Sequence, residues 1–275
     1  MYWLVKSVNT MYQTVKYRHP QNLDWAGILT RHTDERMGDG KLSEIVTTGS
    51  TGDAARRGWK QDPNRVKANI LQAALETFAE RGFSGARVDE IVARTETSKR
   101  MIYYYFGDKE GLYRAVLEYA YERMRRAEDK LDLAKVAPVD ALRKLSEFTF
   151  DHHRSNNDFI RLVMIENIHD GRNMSQSSSM PWQNSTVIHH LDDIYRRGCE
   201  SGLFRGGLTA VELHWHISAM CYFNVSNRAT FSRIFGDELF TERGQSMLRK
   251  HVGDMILRFV LRPEILSKLG RAGTL

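Results

Sequence analysis

Along most of this chain, apolar residues recur at intervals of three and four, the spacing that places side chains on one face of an α-helix. The first clear stripe follows Asp62 and Pro63, a cap residue and a proline that favour the start of a helix, and it contains Val66, Ile70 and Phe78. No segment shows the alternation of apolar and polar residues that a half-buried strand requires. The pattern therefore predicts an all-α protein.

Later stripes predict a long connecting helix and a helical bundle behind it. The connecting helix runs from Lys109 to about Leu133, and Pro138 opens the next helix. The last helix repeats adjacent pairs of apolar residues at every fourth position, which predicts a core on one side and a partner subunit on the other. Further helices are expected at 159–169, 182–197, 209–235 and 242–261.

Residues 87–109 predict two short helices joined by a tight polar turn. Val88, Ile91 and Val92 give the first helix a single buried face, and Ser98 is the N-cap candidate for the second. A unit of this size suits DNA, because the ~12 Å major groove accepts one helix while its neighbour braces that helix from outside.

The second short helix is basic and aromatic. On a helical projection Ile102 and Phe106 fall on the inner side, and Tyr105 lies nearer to that side than to solvent. Lys109 stands at the start of the next helix, where the macrodipole disfavours a cation, so an anionic partner is expected there. The outward arc carries side chains that can meet bases and phosphates: Lys99, Arg100, Tyr103 and Tyr104.

Three linked segments in this region resemble the TetR family of bacterial transcriptional regulators. They are AALETFAERGF at 73–83, VDEIVA at 88–93, and SKRMIYYYF at 98–106 followed by KEGLY at 109–113. The resemblance runs from about Arg65 to Tyr113. It implies an N-terminal helix-turn-helix DNA-binding domain and a C-terminal helical bundle for ligand binding and dimerisation.

The resemblance also implies roles for single residues. It places Lys99, Arg100 and Met101 against bases and Tyr103 against a base or the backbone. Phosphate contacts fall on Tyr104, Tyr105 and Lys109. The full set of predicted DNA-binding residues is Arg87, Ser98, Lys99, Arg100, Met101, Tyr103, Tyr104, Tyr105 and Lys109.

Two positions depart from the family's pattern. Ala86 and Arg87 stand where the family usually has a threonine or serine, so a cap worth ~1 kcal/mol is expected to be missing. Arg87 can replace the lost hydroxyl with a charge-assisted phosphate contact. Glu96 stands where the family's turn usually carries glycine, and a left-handed backbone there would cost roughly 1 to 2 kcal/mol.

Composition agrees with this interpretation without deciding it. The chain has 275 residues, 41% of them hydrophobic, and a formal charge of +6, which favours a polyanionic partner but is also common in proteins that have none. Cys199 and Cys221 are too few for a disulfide framework and predict reduced thiols in the cytoplasm. No apolar run is long enough to span a membrane, so no membrane partner is expected.

Three domains are predicted. Residues 1–61 are expected to be a disordered N-terminal extension, residues 62–108 the helix-turn-helix domain, and residues 109–270 the ligand-binding and dimerisation domain. Within the extension, 38–58 has the composition of a flexible linker. Two alternatives stay open there: translation starting at Met11 or Met37, and a basic arm of Arg56, Arg57 and Lys60 that reaches a minor groove.

Candidates for enzyme chemistry are sparse. Glu166 and His169 have the E-x-x-H spacing of a carboxylate-bridged di-iron bundle, but that site needs a second copy and further carboxylates, which the sequence lacks. His214 and His216 lie ~200° apart on a helix and cannot converge on one ion. Since no phosphate loop or nucleophile motif occurs either, we predict no cofactor, no metal and no enzyme activity.

Aromatic and amide residues in the second domain predict a pocket for a small-molecule effector, because pockets between bundle helices are apolar with a few convergent polar groups. Plain core packing is the alternative for each of these residues. TetR-family regulators generally bind small effectors in this domain, and the stretch from Phe159 through Asn167 resembles the pyrimidine-responsive RutR-like branch. The ligand-binding candidates are Phe159, Asn167, Trp182, Trp215 and Tyr222.

The sequence thus predicts a cytoplasmic, homodimeric, ligand-responsive DNA-binding regulator. Most members of the family are repressors that bind a palindromic operator in double-stranded DNA. Two other classes stay open: a helical metal-carboxylate enzyme, which would carry stoichiometric iron, and a DNA-architectural protein without an effector, which would bind DNA independently of its sequence.

Overall fold

The computed structural model describes residues 62–176 and 186–271. The predicted extension at 1–61, with its possible basic arm, and the ligand candidate Trp182 lie outside the described residues. No strand occurs in the described ranges, where extended pairing is limited to one isolated bridge between Phe204 and Leu261. The prediction of an all-α fold is confirmed.

The described residues form α-helices joined by short connections and two single 3₁₀ turns, at Met174–Gln176 and Glu238–Phe240. The helices are α1 (Pro63–Gly85), α2 (Val88–Ala93), α3 (Lys99–Phe106), α4 (Lys109–Glu128), α5 (Pro138–Ser155), α6 (Asn157–Ile168), α7 (Thr186–Glu200), α8 (Ala210–Ser226), α9 (Arg228–Phe235), α10 (Glu242–Val260) and α11 (Pro263–Arg271).

Polar side chains begin the helices at the positions that the sequence indicates. The Asp62 carboxylate accepts from the backbone N–H groups of the next helical turn at 3.0 and 3.2 Å, and Pro63 occupies the first helical position. The Ser98 hydroxyl accepts from the Met101 N–H at 3.3 Å. Asp108 caps α4 in the same way. Each cap satisfies N–H groups that have no partner inside their own helix.

The first hydrophobic core joins the helix-turn-helix unit to a helix from the second half of the chain. Its centre is Phe78 of α1, whose ring packs edge-on against Tyr113 of α4, with 4.9 Å between centroids. From α6, Phe159, Ile160 and Leu162 enter the same core. α6 therefore supplies part of the interior of the helix-turn-helix unit.

The second core lies among α5, α7, α8 and α10. Leu145, Ile194, Leu213 and Ile256 are all buried in it. At one end of this core, Phe204 packs directly on Gly198 of α7, where an added Cβ would lie 2.0 Å from the phenylalanine ring. Glycine is required at this position because the ring occupies the space that any side chain would fill.

The predicted helix at 209–235 is two helices, so that boundary was wrong. α8 ends at Ser226 and α9 starts at Arg228, with Asn227 between them at φ −101° and ψ 1°. The Asn227 amide donates to the Ser226 hydroxyl at 2.9 Å. Short polar side chains that form such local hydrogen bonds compete with the helical backbone, which accounts for the break.

The paired apolar pattern of the last long helix is confirmed as two faces of α10. The second members of the pairs, Val252, Ile256 and Val260, are buried in the second core, whereas Met255 and Phe259 are exposed. Ile256 therefore belongs to the interior of the chain, and the exposed members alone are available to a partner.

We predict that Gly198→Ala lowers the free energy of unfolding by roughly 1 to 3 kcal/mol, because the new methyl group must displace the Phe204 ring. Urea unfolding followed by circular dichroism measures the change. Gly206→Ala is the matched control, since no heavy atom lies within 4 Å of a Cβ built there. Equal effects of the two substitutions would contradict the packing argument.

Candidate nucleic-acid interface

Both α2 and α3 pack on the first core. Val88 and Ile91 of α2 and Ile102 of α3 are buried, which leaves the opposite side of α3 in solvent. On that side Tyr103 is 40% exposed and Tyr104 77% exposed. Arg100, in the first turn of α3, is also exposed. The predicted outward arc is thus presented as one surface.

Lys99 also lies on this surface, and its ammonium group is already paired. Its Nζ contacts the two carboxylate oxygens of Asp89 on α2 at 2.9 and 3.1 Å. The hydrogen bond to Asp89 is the main cause that raises the pKa of Lys99. Since both side chains are about half exposed or more, water weakens the pair, and a phosphate can replace the carboxylate.

Three other candidates lie partly against the protein. Tyr105 is half-buried, as the helical projection indicates, and the Lys67 ammonium lies 5.2 Å from its ring centroid. Met101 is half-buried as well. Lys109, at the start of α4, places its ammonium 4.9 Å from the centroid of Phe83. The aromatic face compensates for the unfavourable helix terminus, so Lys109 has a protein partner as well as access to an anion.

The start of α2 shows what replaces the missing cap. Arg87 has no acceptor atom in its side chain, and no side chain caps the helix from that position. The Glu90 carboxylate instead accepts from the Arg87 backbone N–H at 3.4 Å. This is one half of a capping box, so the helix start is partly stabilised despite the departure from the family's pattern. Arg87 itself is exposed.

The expectation of a strained turn at Glu96 is wrong. Among the described residues, Asp170 is the one non-glycine residue with positive φ, so Glu96 carries no left-handed strain. The turn closes instead by hydrogen bonds from the N–H groups of Arg94 and Thr95 to carbonyls of α2 at 3.1 and 3.0 Å. Arg94 also ties the turn to Glu80 of α1 through a 2.6 Å ion pair.

Of the four effector candidates in the described residues, Phe159 and Tyr222 belong to the first core and Asn167 bonds to Tyr222, whereas the Trp215 side chain is exposed. Phe159 is a core residue, with its ring edge-on to Tyr121 at 5.0 Å. Asn167 is exposed and donates to the half-buried Tyr222 hydroxyl at 3.5 Å. Trp215, expected either in a pocket or in the core, has a side chain that is 66% exposed.

The periodicity of α8 explains the exposure of Trp215. The buried face of this helix is made by Leu213, Ile217 and Cys221, at intervals of four. Trp215 follows Leu213 by two positions and therefore points ~200° away from that face. A single tryptophan in an apolar helix carries no signal of its own about which face it occupies.

Glu166, a candidate metal ligand in the sequence, has a structural role instead. Its carboxylate is buried and accepts from the Asn173 amide at 2.9 Å and from the N–H groups of Asn173 and Met174 at 3.2 and 3.3 Å. It thereby fixes the turn after α6. Burial, with the nearby Glu166 carboxylate, raises the pKa of Tyr113 above its usual range and the pKa of Tyr121 to about 12.

Within 62–176 and 186–271, no group of three or more His, Cys, Asp or Glu side chains is placed to hold a metal ion. His169, the other half of the E-x-x-H spacing, is exposed. Of the helices in these ranges, none combines the length and apolar content needed to cross a membrane. The site that the described residues do assemble is the exposed arc of α3.

Comparisons with known proteins identify the family to which this chain belongs. Residues 70–116 match a family model described as bacterial regulatory proteins of the tetR family, and residues 138–256 match a tetracyclin repressor-like C-terminal domain. The chain is 33% identical over 202 residues to the HTH-type transcriptional repressor NicS of Pseudomonas putida, covering 74% of this chain and 95% of that protein. The chain is 49% identical to the regulator RutR of Escherichia coli over 51 residues, 24% of that protein, too few to span the matched C-terminal domain.

Solved structures show the same fold. A putative transcriptional regulator from Streptomyces coelicolor, 24% identical, superposes with a TM-score of 0.53 and covers 72% of this chain and 99% of its own. The protein is thus a helix-turn-helix DNA-binding protein with a helical second domain. It belongs to the TetR family of transcriptional regulators.

We predict that Asp89→Asn strengthens binding to random and preferred DNA alike, roughly two- to tenfold at low salt, because it releases Lys99 and removes a negative charge beside the phosphates. Fluorescence anisotropy with a labelled duplex at several salt concentrations measures the gain.

Asp192→Asn is the matched control for this substitution. Asp192 is exposed on α7, and its substitution changes the net charge equally. If both variants gain the same affinity, the effect is one of overall charge, and the Asp89–Lys99 pair does not restrain DNA binding.

Proposed function

We propose that this protein is a homodimeric repressor that binds a palindromic operator in double-stranded DNA and releases it when a small effector binds. The observation that carries the proposal is the exposed arc of α3. The opposite side of α3 and the buried side of α2 pack on the same core. The repressor name of its relative NicS supports the direction of regulation. Such a protein acts in the cytoplasm, where bacterial DNA lies.

Sequence readout falls to Arg100 in this proposal. Its guanidinium is exposed and makes no ion pair with any residue in the described part of the chain, so it is available for two parallel hydrogen bonds to a guanine. Lys99 exchanges Asp89 for a DNA oxygen, whereas Tyr104 and Lys109 meet phosphates. Phosphate contacts orient the protein, and base contacts select the sequence.

An exposed apolar surface supports the homodimer. On α8 and α10, Trp215, Met255 and Phe259 are exposed. His216 joins them, with its ring centroid 5.1 Å from that of Trp215 and 4.8 Å from that of Phe259. We call these four residues the α8–α10 face. Contiguous apolar surface of this kind marks an interaction site, and a dimer places two recognition helices about one DNA turn, ~34 Å, apart.

Effector response is proposed to pass through α6 and α4. Both helices contribute to the core that holds α2 and α3, so a ligand that moves either helix changes the orientation of the recognition helix. The ligand shifts the equilibrium only by its difference in affinity for the two conformations. A shared core of this kind favours an effector-controlled regulator over an architectural DNA-binding protein.

The enzyme alternative has less support. The Glu166 carboxylate oxygens already accept hydrogen bonds from Asn173 and Met174 in the turn after α6. The family and the named relatives are transcriptional regulators. We therefore propose that the protein has no enzymatic activity. Stoichiometric iron in the purified protein would instead favour the metal-carboxylate enzyme.

Arg100→Ala is expected to cost ~1 to 3 kcal/mol on the preferred operator and to relax sequence choice, because a bidentate base contact is lost. Lys109→Ala should weaken all sequences alike and reduce the slope of log affinity against log salt by about one. Titrations on operator and scrambled duplexes separate the two effects. Identical behaviour of both variants on both duplexes would overturn the assigned roles.

Met255→Asp and Trp215→Asp are expected to convert the dimer to a folded monomer, because each would bury an unpaired charge at the interface at a cost of several kcal/mol. Light scattering gives the oligomeric state, and circular dichroism confirms folding. His189→Asp, at an exposed position of α7, is the control. If the first two variants stay dimeric, the interface is not the α8–α10 face.

A further inference from the structure

A cleft of about 1310 Å³ lies between the DNA-binding half of the chain and the bundle. One wall is the end of α1, from Ala79 to Gly82, and α6 lines it from Asn157 to Ile168. The remaining wall comes from the end of α8, from α9 and from the start of α10. The cleft is separate from the exposed arc of α3, and its described lining contains none of the described ligand-binding candidates: Phe159, Asn167, Trp215 and Tyr222.

The lining of this cleft is strongly basic. Among the described residues five arginines and three carboxylates line it, and two of the carboxylates are already paired. Glu80 pairs with Arg94, which lies outside the cleft, and Glu242 pairs with Arg154. Positive charge is left in excess. The described arginines of the lining that form no ion pair in this part of the chain are Arg81, Arg161, Arg228 and Arg233.

Apolar surface and an unsatisfied hydroxyl accompany the arginines. Met164, Ile165 and Phe240 line the same cleft, and the Arg228 guanidinium lies 5.6 Å from the Phe240 ring centroid. The Ser232 hydroxyl oxygen is buried in the lining and forms no hydrogen bond with any described residue. This hydroxyl is closed to the cleft, so the apolar surface and the arginines are what the cleft offers to a ligand.

We propose that this cleft binds an anionic small molecule and that this molecule is the effector, an inference that rests on the proposed repressor function. A carboxylate or phosphate group lies against Arg228 and Arg233, while an apolar portion contacts Met164 and Ile165. Guanidinium groups suit both anions because they donate paired parallel hydrogen bonds. The cleft exceeds the usual 300–1,000 Å³ of ligand pockets, so it has room for a molecule of at least drug size.

Arg161 gives this site a route to the DNA-binding half. Its Nε donates to the Ala79 carbonyl oxygen at 2.6 Å and so links α6 to the end of α1. The same guanidinium and the same stretch of α1 line the cleft. A bound anion attracts Arg161 away from the carbonyl, so ligand binding and the position of α1 are coupled. Operator DNA and the anion therefore weaken each other's binding by the same factor.

The test uses the full chain with three naphthalene probes: 2-naphthoate, 2-naphthyl phosphate and the neutral 2-naphthamide. We expect at least one anion to bind tenfold or more tightly than the amide in calorimetry and to weaken binding to labelled operator. The ratio between carboxylate and phosphate identifies which anion the cleft prefers. Similar affinity for all three probes would overturn the proposal.

Variants locate the binding site. Arg228→Gln with Arg233→Gln should weaken the preferred anion roughly tenfold or more, since charge-assisted hydrogen bonds are lost. Arg81→Gln, on the facing helix, provides a second variant. Arg196→Gln is the matched control, because Arg196 is exposed on α7 and pairs with Asp193 and Glu200. Anion affinity unchanged in both cleft variants would place the site elsewhere and overturn the proposal.

Operator binding by the same samples distinguishes a failure of the effector role of the cleft from a failure of the repressor function. If the protein binds its operator and no anion tested affects that binding, the effector role of the cleft is overturned while the repressor function stands. If anions bind through the cleft arginines but the protein selects no DNA sequence, the proposed repressor function fails and with it the effector role.

Discussion

The packing of α6 into the core of the helix-turn-helix unit is the contact on which the remaining architecture depends. The side chains of Phe159, Ile160 and Leu162 on α6 are buried in the same core as Phe78 of α1 and Tyr113 of α4. A recognition helix of eight residues has too little apolar surface to hold its own position. Because α4 and α6 complete that interior, the orientation of α3 is set by helices that also border the bundle. This shared core supports the proposal that the second domain controls DNA binding.

The lysine ammonium groups at the proposed DNA surface already have partners within the protein. Lys99 is paired with Asp89, while the ammonium groups of Lys67 and Lys109 lie over aromatic rings. These contacts are weak in water, so they keep the cations ordered without preventing an exchange for phosphate. In the proposed complex Lys99 gives up its pair with Asp89, so this contact opposes DNA binding.

Several features of the molecule were predictable from the sequence because they depend on near neighbours. The caps Asp62, Ser98 and Asp108 act within one helical turn, and helical spacing placed Ile102 inward and Tyr104 outward. Resemblance added the family, which the comparisons confirm.

The sequence by itself determined the helices, their buried faces and the exposed arc of α3, because each follows from interactions between residues a few positions apart. Tertiary structure decided the rest. The entry of α6 into the first core and the gathering of Arg81, Arg161 and Arg228 around one cleft both join residues distant in sequence. Periodicity specifies which side of a helix is buried, but not which helix covers it, and that choice is made when the two cores pack.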